Sequence, residues 1–397
     1  MIIGAKLVIP RAGELVTDGA VCIVDGKIQG VGKKDELIKA HPLMRRTDLG
    51  NALITPGLIN FHCHLELEFC KGKVTYNGNF IDWLQSVRDL KHDYLMLPGY
   101  FPEKGVKESL SSGVTTIVDH YTMQLNFQAI KEYGLRYLGL RELFDFNNHN
   151  PDVARLKEST VYSFAIHSPY TTSAEVAQAA TQIALELGRP VSTHLSEMQQ
   201  EIEFILKGNE DVEKLLRRAG AHDENWKAPG VSPIRYFCDL GILTPRTYCV
   251  HLNYYLPGDI EILKNTGITH IYCPRSHSYF QHPTHPLMDY QRAGIPTCLG
   301  TDSYGSNADL RILGEAQKVW EEFPELDARR VFEMFTTAGL KPLAMEGLLG
   351  ELRIGALGDL VAWQNPQGET FDEVVAWLVK QETAMLTMRE GRVVHEI

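Results

Sequence analysis

Several apolar runs in this chain stop on residues that bind metals or move protons. The first ends in Phe61-His62-Cys63-His64; others end in His167, in His194-Leu195-Ser196-Glu197, in His251 and in Gly300-Thr301-Asp302. Three neutral imidazoles and one carboxylate suit a divalent ion such as Zn2+ or Fe2+ and keep a coordination position open for chemistry. Alternate residues of a strand share a face, so His62 and His64 can point the same way. His62, His64, His194 and Asp302 are therefore expected to hold one divalent metal per chain. Zn2+ is the first expectation, and Fe2+ or Mn2+ suits the same donors. A lone His-x-His pair would carry little weight. The weight comes from five strand-like runs ending in His or Asp at the same register, which 15 scattered histidines would rarely give.

Such convergence needs a scaffold that brings strand ends together. Eight short apolar runs stand out: 58–61, 115–118, 137–140, 161–166, 190–193, 247–250, 269–272 and 295–299. Amphipathic helical stretches lie between several of them, at 173–187, 198–206, 257–266 and 308–323, and a helical insertion is expected around 207–233. Alternating strands and helices in this number predict an α/β fold, a (β/α)8 TIM barrel whose strand C-termini form one mouth. No Gly-x-Gly-x-x-Gly follows the first strand to favour a doubly wound sheet. Both ends of the chain read as β instead, with hairpin signals at Asp25-Gly26 and Glu390-Gly391. The expected organisation is a small β-sandwich domain from residues 1–54 and 348–397 around a barrel of residues 55–347.

Composition narrows the function classes. The 397 residues carry a formal charge of −11, from 39 basic and 50 acidic side chains. That balance argues against nucleic-acid binding, which needs basic patches to displace counterions. No basic cluster fits a membrane surface, and no apolar run approaches the ~18 residues of a span. The seven cysteines form no Cys-x-x-Cys pair and read as buried thiols of a cytoplasmic protein. The N-terminus lacks the apolar core and cleavage site of a signal peptide.

With these motifs in place the sequence resembles the amidohydrolase superfamily. The resemblance is to its metal-dependent aminohydrolase branch, which includes deaminases of cytosine, guanine and methylthioadenosine/S-adenosylhomocysteine. It rests on PGLINFHCH, HSPYT (167–171), THLSE (193–197), GILTPRTYCVH (241–251), CPRSH (273–277) and LGTDSYGSN (299–307). The terminal segments DGKIQGVG and TTAGLKPLAMEGLLGELRIGALGDLVAW extend it over nearly the whole chain. The resemblance implies the barrel with a terminal β-sandwich, and His62, His64, His194 and Asp302 as metal ligands. It further implies His251 beside the attacking water, Glu197 as the proton shuttle and His167 as a substrate contact. Strand four offers Ala165-Ile166-His167 and no lysine to bridge two metals, so one metal is expected.

Hydrolytic deamination adds water to an amino-bearing ring carbon, protonates a ring nitrogen and expels ammonia. A metal-activated water would attack, Asp302 would take its proton, and Glu197 would protonate the ring. His251 would stabilise the developing charge. Each of these residues also has a structural reading: Glu197 as a helix-starting acid, His251 as a group orienting a ligand, His167 as a core histidine, Asp302 as a helix cap.

Within the branch, the HLE-F stretch (64–69), GNF-DWLQSVRD (78–89) and CPRSHSYFQH (273–282) resemble aminodeoxyfutalosine deaminases. Two departures separate the chain from the methylthioadenosine deaminases. Arg275-Ser276-His277 follows Cys273-Pro274 where those carry Ser-Asn, and no glutamate near 88–93 matches the one that grips ribose. The expected substrate is an adenine-type nucleoside: aminodeoxyfutalosine, methylthioadenosine, S-adenosylhomocysteine or an adenosine analogue. Trp83 and Phe80 are candidates to cover its base, and Arg141 to meet a carboxylate. Glu66, His277 and His282 either contact substrate or lie on the loop surface. The alternative is hydrolysis of another C–N or C–Cl bond on a heterocycle such as guanine, a pterin, cytosine or a triazine. A non-catalytic scaffold is disfavoured because all six chemical positions are filled. The resemblance suggests a homodimer, with a small molecule as partner.

Overall fold

The computed structural model describes residues 1–95 and 99–397. Five strands open the chain: Ile2–Val8 (β1), Val16–Val24 (β2), Lys27–Lys33 (β3), Arg46–Asp48 (β4) and Ala52–Pro56 (β5). Eight more follow: Leu58–Cys63 (β6), Val114–Tyr121 (β7), Arg136–Leu143 (β8), Ser163–Ile166 (β9), Val191–Leu195 (β10), Thr247–His251 (β11), Thr269–Tyr272 (β12) and Thr297–Leu299 (β13). Leu360–Gln364 (β14), Leu386–Arg389 (β15) and Arg392–Glu396 (β16) close the chain.

Strands β6 to β13 pair in sequence order, all parallel. The gap between the last and the first is bridged where Thr301 N–H donates to the His62 carbonyl at 2.9 Å and Cys63 pairs with Asp302. This is the expected (β/α)8 barrel. Parallel strands covered on both sides read as continuous apolar runs, which is why all eight are visible in the sequence. Ile59, Phe61, Val118, Leu140, Val250 and Ile271 belong to one fully buried core drawn from five different strands. The expected helices 173–187, 198–206, 257–266 and 308–323 appear as Ala174–Glu186, Gln199–Lys207, Asp259–Thr266 and Ile312–Glu322. The insertion contributes one helix, Glu210–Arg218, started by the Asn209 side chain, which accepts from Asp211 and Val212 N–H.

The terminal strands form a second sheet, in the order β16-β15-β14-β5-β1-β2-β3 with β4 beside β1. Both hairpin signals hold. Asp25-Gly26 and Glu390-Gly391 each place two successive residues at positive φ (49° and 77°, 49° and 74°), the conformation a two-residue turn between twisted strands demands. The two tips meet over Gly358, whose N–H donates to Gly26 and whose carbonyl accepts from Gly391. The sheet thus curls on itself, and Ile3, Val21, Ile23, Ile54, Leu360 and Met388 share one core. Arg136 at the start of β8 pins this sheet to the barrel through ion pairs with Asp359 and Glu390.

Candidate metal centre and active site

Strand geometry explains how the histidines reach one point. On β8 and β9 the residues facing the axis include Leu140 and Ala165, so the same alternation brings Glu142 and His167 to the mouth. On β6 simple alternation is not enough, because Phe61 belongs to the interior core and its neighbour His62 to the histidine cluster. The β6–β7 pairing shifts register between Asn60 and Cys63, and such an irregularity re-aims a side chain. On β11, Val250 faces the axis and His251 would face away. There the backbone leaves the strand, with His251 at φ 74° and Leu252 at φ 47°. Ser196 and Asp302, at the ends of β10 and β13, are also left-handed, at φ 52° and 57°. Strained non-glycine residues at three strand ends are held by their surroundings.

Those surroundings are specific. The Asn60 side chain donates to Thr301 Oγ1 at 2.7 Å and accepts from Thr301 N–H, locking the segment before Asp302. Ser276 and Ser306 hydroxyls donate to Asp302 Oδ2 at 2.7 and 2.6 Å, leaving Oδ1 turned to the histidines. The Glu201 carboxylate accepts N–H bonds from Ser196 and Glu197 at 2.8 and 2.9 Å, and the Asn253 amide donates to the Glu197 carbonyl. His270 and His285, stacked with ring planes 6° apart, each place Nε2 within 3.0 Å of the His251 carbonyl. Sequence reading missed Glu201, Asn253, His270 and His285, which lie outside the quoted motifs.

The expected ligands come together. His64 Nε2 lies 3.3 Å from His194 Nε2, and Asp302 Oδ1 lies 3.7 and 3.8 Å from the Nε2 atoms of His62 and His64. His194 is oriented by its Nδ1, 2.9 Å from the His167 carbonyl. Burial pushes the His62 imidazole down to about 4 and holds His64 well below its ordinary value, so both are neutral near pH 7. Asp302 stays well below the usual carboxylate range: burial opposes ionisation, but His62, His251 and His64 outweigh it. Both ring nitrogens of His62 are buried without a hydrogen-bond partner among the described residues. Neutral imidazoles, an ionised carboxylate and orphaned nitrogens in one cluster fit a divalent ion.

Glu197 and His251 flank this cluster, His251 Nε2 being 3.3 Å from Glu197 Oε1. Burial and the nearby Asp302 raise Glu197 well above the usual carboxylate range. It does not cap the following helix, whose N-cap is Met198 with no side-chain bond. Asp302 likewise caps no helix. His167 lines the same cavity, with Nδ1 2.6 Å from Thr171 Oγ1 and its ring stacked on Phe144 at 3.9 Å.

The cavity above the cluster is about 330 Å³, within the size range of small-molecule sites. Helix Phe80–Leu95 lies across it, begun by the Asn79 side chain, which accepts from Ile81 and Asp82 N–H. Trp83, Leu84, Val87, Arg88 and Lys91 share one face of that helix and line the cavity. Trp83 packs on Phe280 and donates its indole N–H to the Gly305 carbonyl at 3.2 Å; Phe80 also lines the cavity. Leu215 and Leu216 of the inserted helix, which packs against helix Phe80–Leu95, also line the cavity.

Arg141 is a correction. Alternation on β8 turns Glu142 to the cavity and Arg141 outward, so among the described residues the lining cations are Arg88 and Lys91. Glu66 is fully buried, accepts from Thr122 and Met123 N–H at 2.7 Å each and pairs with Lys91. It therefore holds Lys91 and the turn after β7. His277 and His282 do not line the cavity. Arg275 is bound by Glu315 and Asp309, a structural link. Cys63 donates its thiol to Asp119, and all seven cysteines are free.

The sequence profile of the amidohydrolase family matches residues 53–394. The chain is 26% identical to the 5-methylthioadenosine/S-adenosylhomocysteine deaminase of Symbiobacterium thermophilum, with 100% of this chain and 93% of that protein covered. The structure of Helicobacter pylori aminofutalosine deaminase in complex with methylthio-coformycin superposes with a TM-score of 0.86 at 22% identity, covering 99% of both chains. Zinc-complexed atrazine chlorohydrolase from Arthrobacter aurescens superposes at 0.80 with 19% identity, over 100% of this chain and 95% of that one. At these identities the superpositions establish a shared fold.

Proposed function

The chain belongs to the amidohydrolase family, and from that premise we propose that it is a metal-dependent hydrolytic deaminase of an adenine-type nucleoside. The observation that carries the proposal is one constellation. His62, His64, His194 and Asp302 cluster under a 330 Å³ cavity, with Glu197 and His251 in contact at its edge. The same reading assigns the chemistry to residues 55–347 and a supporting role to the terminal segments.

In this reading His62, His64, His194 and Asp302 hold one divalent ion, Zn2+ first, which when bound supplies Lewis acidity that brings the pKa of water from ~15.7 toward ~7. Asp302, ionised and fixed by two serine hydroxyls, accepts the proton of the attacking water. Glu197 enters protonated, as its raised pKa implies, and delivers that proton to a ring nitrogen. The amino-bearing carbon gains the water oxygen as a hydroxyl, and the ionised Glu197 takes the hydroxyl proton and passes it to the amine. The C–N bond breaks to leave a carbonyl and ammonia, the proton held by Asp302 then restoring Glu197. His251, held neutral by burial, hydrogen-bonds the attacking oxygen. Trp83 covers the base, and His167 contacts the nucleoside. Arg88 and Lys91 stand where a polar 5′ substituent would extend. We take the protein to be a cytoplasmic homodimer.

The relative named methylthioadenosine/S-adenosylhomocysteine deaminase and the fold shared with aminofutalosine deaminase support a nucleoside rather than a free base. The triazine-type alternative uses the same centre, and the chlorohydrolase superposition gives it no advantage. The deciding experiment is ammonia release by metal-loaded protein from aminodeoxyfutalosine, methylthioadenosine, S-adenosylhomocysteine, adenosine, guanine, cytosine and melamine, with Glu197→Gln as control. Release from nucleosides alone, lost in the variant, supports the proposal. Release only from a free base or a triazine overturns its substrate class.

A further inference from the structure

One imidazole at the mouth has no task in the account above. His120 sits next to the last residue of β7 and is fully buried. Its ring centroid lies 4.5 Å from His62, 5.3 Å from His64 and 5.2 Å from His194. One ligand nitrogen from each of these four histidines falls within 4.8 Å of all the others. Two nitrogens bound to one ion at about 2.1 Å are at most ~4.2 Å apart, so the four need only a slight contraction to meet on one ion.

Glu142 separates His120 from an ordinary core histidine. Its carboxylate lies 3.3 Å from His120 Nδ1, 3.6 Å from His194 Nδ1 and 3.9 Å from His64 Nδ1. A carboxylate that holds one ring nitrogen turns the other toward a metal, and here one carboxylate faces the same nitrogen of three imidazoles. The Nε2 atoms of His64 and His194 then face each other. His120 Nε2 is buried with no hydrogen-bond partner among the described residues, and it lies among the rings of His62, His64 and His194.

We infer that His120 is a further ligand of the metal, through Nε2, with Glu142 as the residue that positions it. This rests on the metal-centre reading above. Four imidazoles and Asp302 would fill five positions of an octahedron and leave one for the reaction, favouring an ion that accepts six ligands. The direct test is X-ray absorption at the metal edge of the loaded wild-type protein, which needs no variant. Four imidazoles per ion support the inference. Three imidazoles overturn it and leave the centre of His62, His64, His194 and Asp302 standing. Protein that takes up no ion on loading sinks the centre and this inference together. A second readout is metal release to a chelator and the visible spectrum of the Co2+-loaded protein. His120→Gln is expected to speed release at least tenfold and alter the cobalt bands, and Glu142→Gln to speed release ~10–100-fold. Folded His120→Gln protein with unchanged release and bands also overturns the inference.

Discussion

The barrel mouth and the terminal sheet bury opposite chemistries. Six histidines (His62, His64, His120, His167, His194 and His251) and the carboxyls of Glu142, Glu197 and Asp302 are buried at the mouth. Nitrogens of His62 and His120 there have no hydrogen-bond partner among the described residues. The core of the terminal sheet is aliphatic, and three polar groups buried beside it are matched, while His395 Nε2 on β16 is buried without a partner among the described residues. Asp359 pairs with Arg136, Thr387 donates to the Leu110 carbonyl, and Trp363 donates to Thr55. An unsatisfied buried polar group costs about 1–3 kcal/mol. Open imidazole nitrogens gathered at the mouth, and a packed aliphatic core in the terminal sheet, separate the work of chemistry from the work of stability.

If that separation holds, Glu197→Gln should reduce kcat by ~10²–10⁴ while thermal unfolding stays where it was, both measured on one preparation. Trp363→Ala should do the reverse. The side chain is about 1% exposed, and its loss should cost about 3–5 kcal/mol in urea unfolding, with kcat per folded molecule intact. A kcat that falls along with stability would break the comparison. Metal should act on the mouth alone. An ion at a thousandfold excess over its Kd stabilises the native state by ~4 kcal/mol, and that increment should be the same in wild type and in Trp363→Ala.

The pH profile sharpens the same contrast. Glu197 must carry a proton to deliver it, and burial with Asp302 raises its pKa well above the ordinary range. Its protonated form therefore persists past neutrality and is lost as pH rises through that raised value, so kcat/KM should fall on the alkaline side. The residual activity of Glu197→Gln should lack that limb. On the acid side, His62 is held down to about 4. It stays neutral until pH approaches that value, and metal retention should follow it. The smallest effect is expected at the edge of the terminal segment. Thr370 and Glu373 form a reciprocal cap on helix Phe371–Leu378, and Thr370→Ala should cost about 1 kcal/mol with no change in kcat.

Legibility in the sequence follows the same division. The eight barrel strands were readable because buried parallel strands are continuous apolar runs, and both hairpins because Asp-Gly and Glu-Gly turns need positive φ. His62, His64, His194, Glu197, His251 and Asp302 were readable because each follows such a run within four residues. His120 escaped because the second run was cut at Val118, two residues before its inward-facing end. Arg141 was misplaced because the last inward residue of β8 is Glu142, one position further on. The left-handed backbone at Ser196, His251 and Asp302, and the clamps that hold it, depend on residues distant in sequence. No local pattern announces a contact such as His285 to the His251 carbonyl.

The most direct test of the central claim is the fate of oxygen when metal-loaded protein meets an adenine-type nucleoside in ¹⁸O-labelled water. The account predicts one ammonia released per product and one labelled oxygen at the carbon that lost the amine. Product without the label, or turnover of the nucleoside without ammonia, would contradict it.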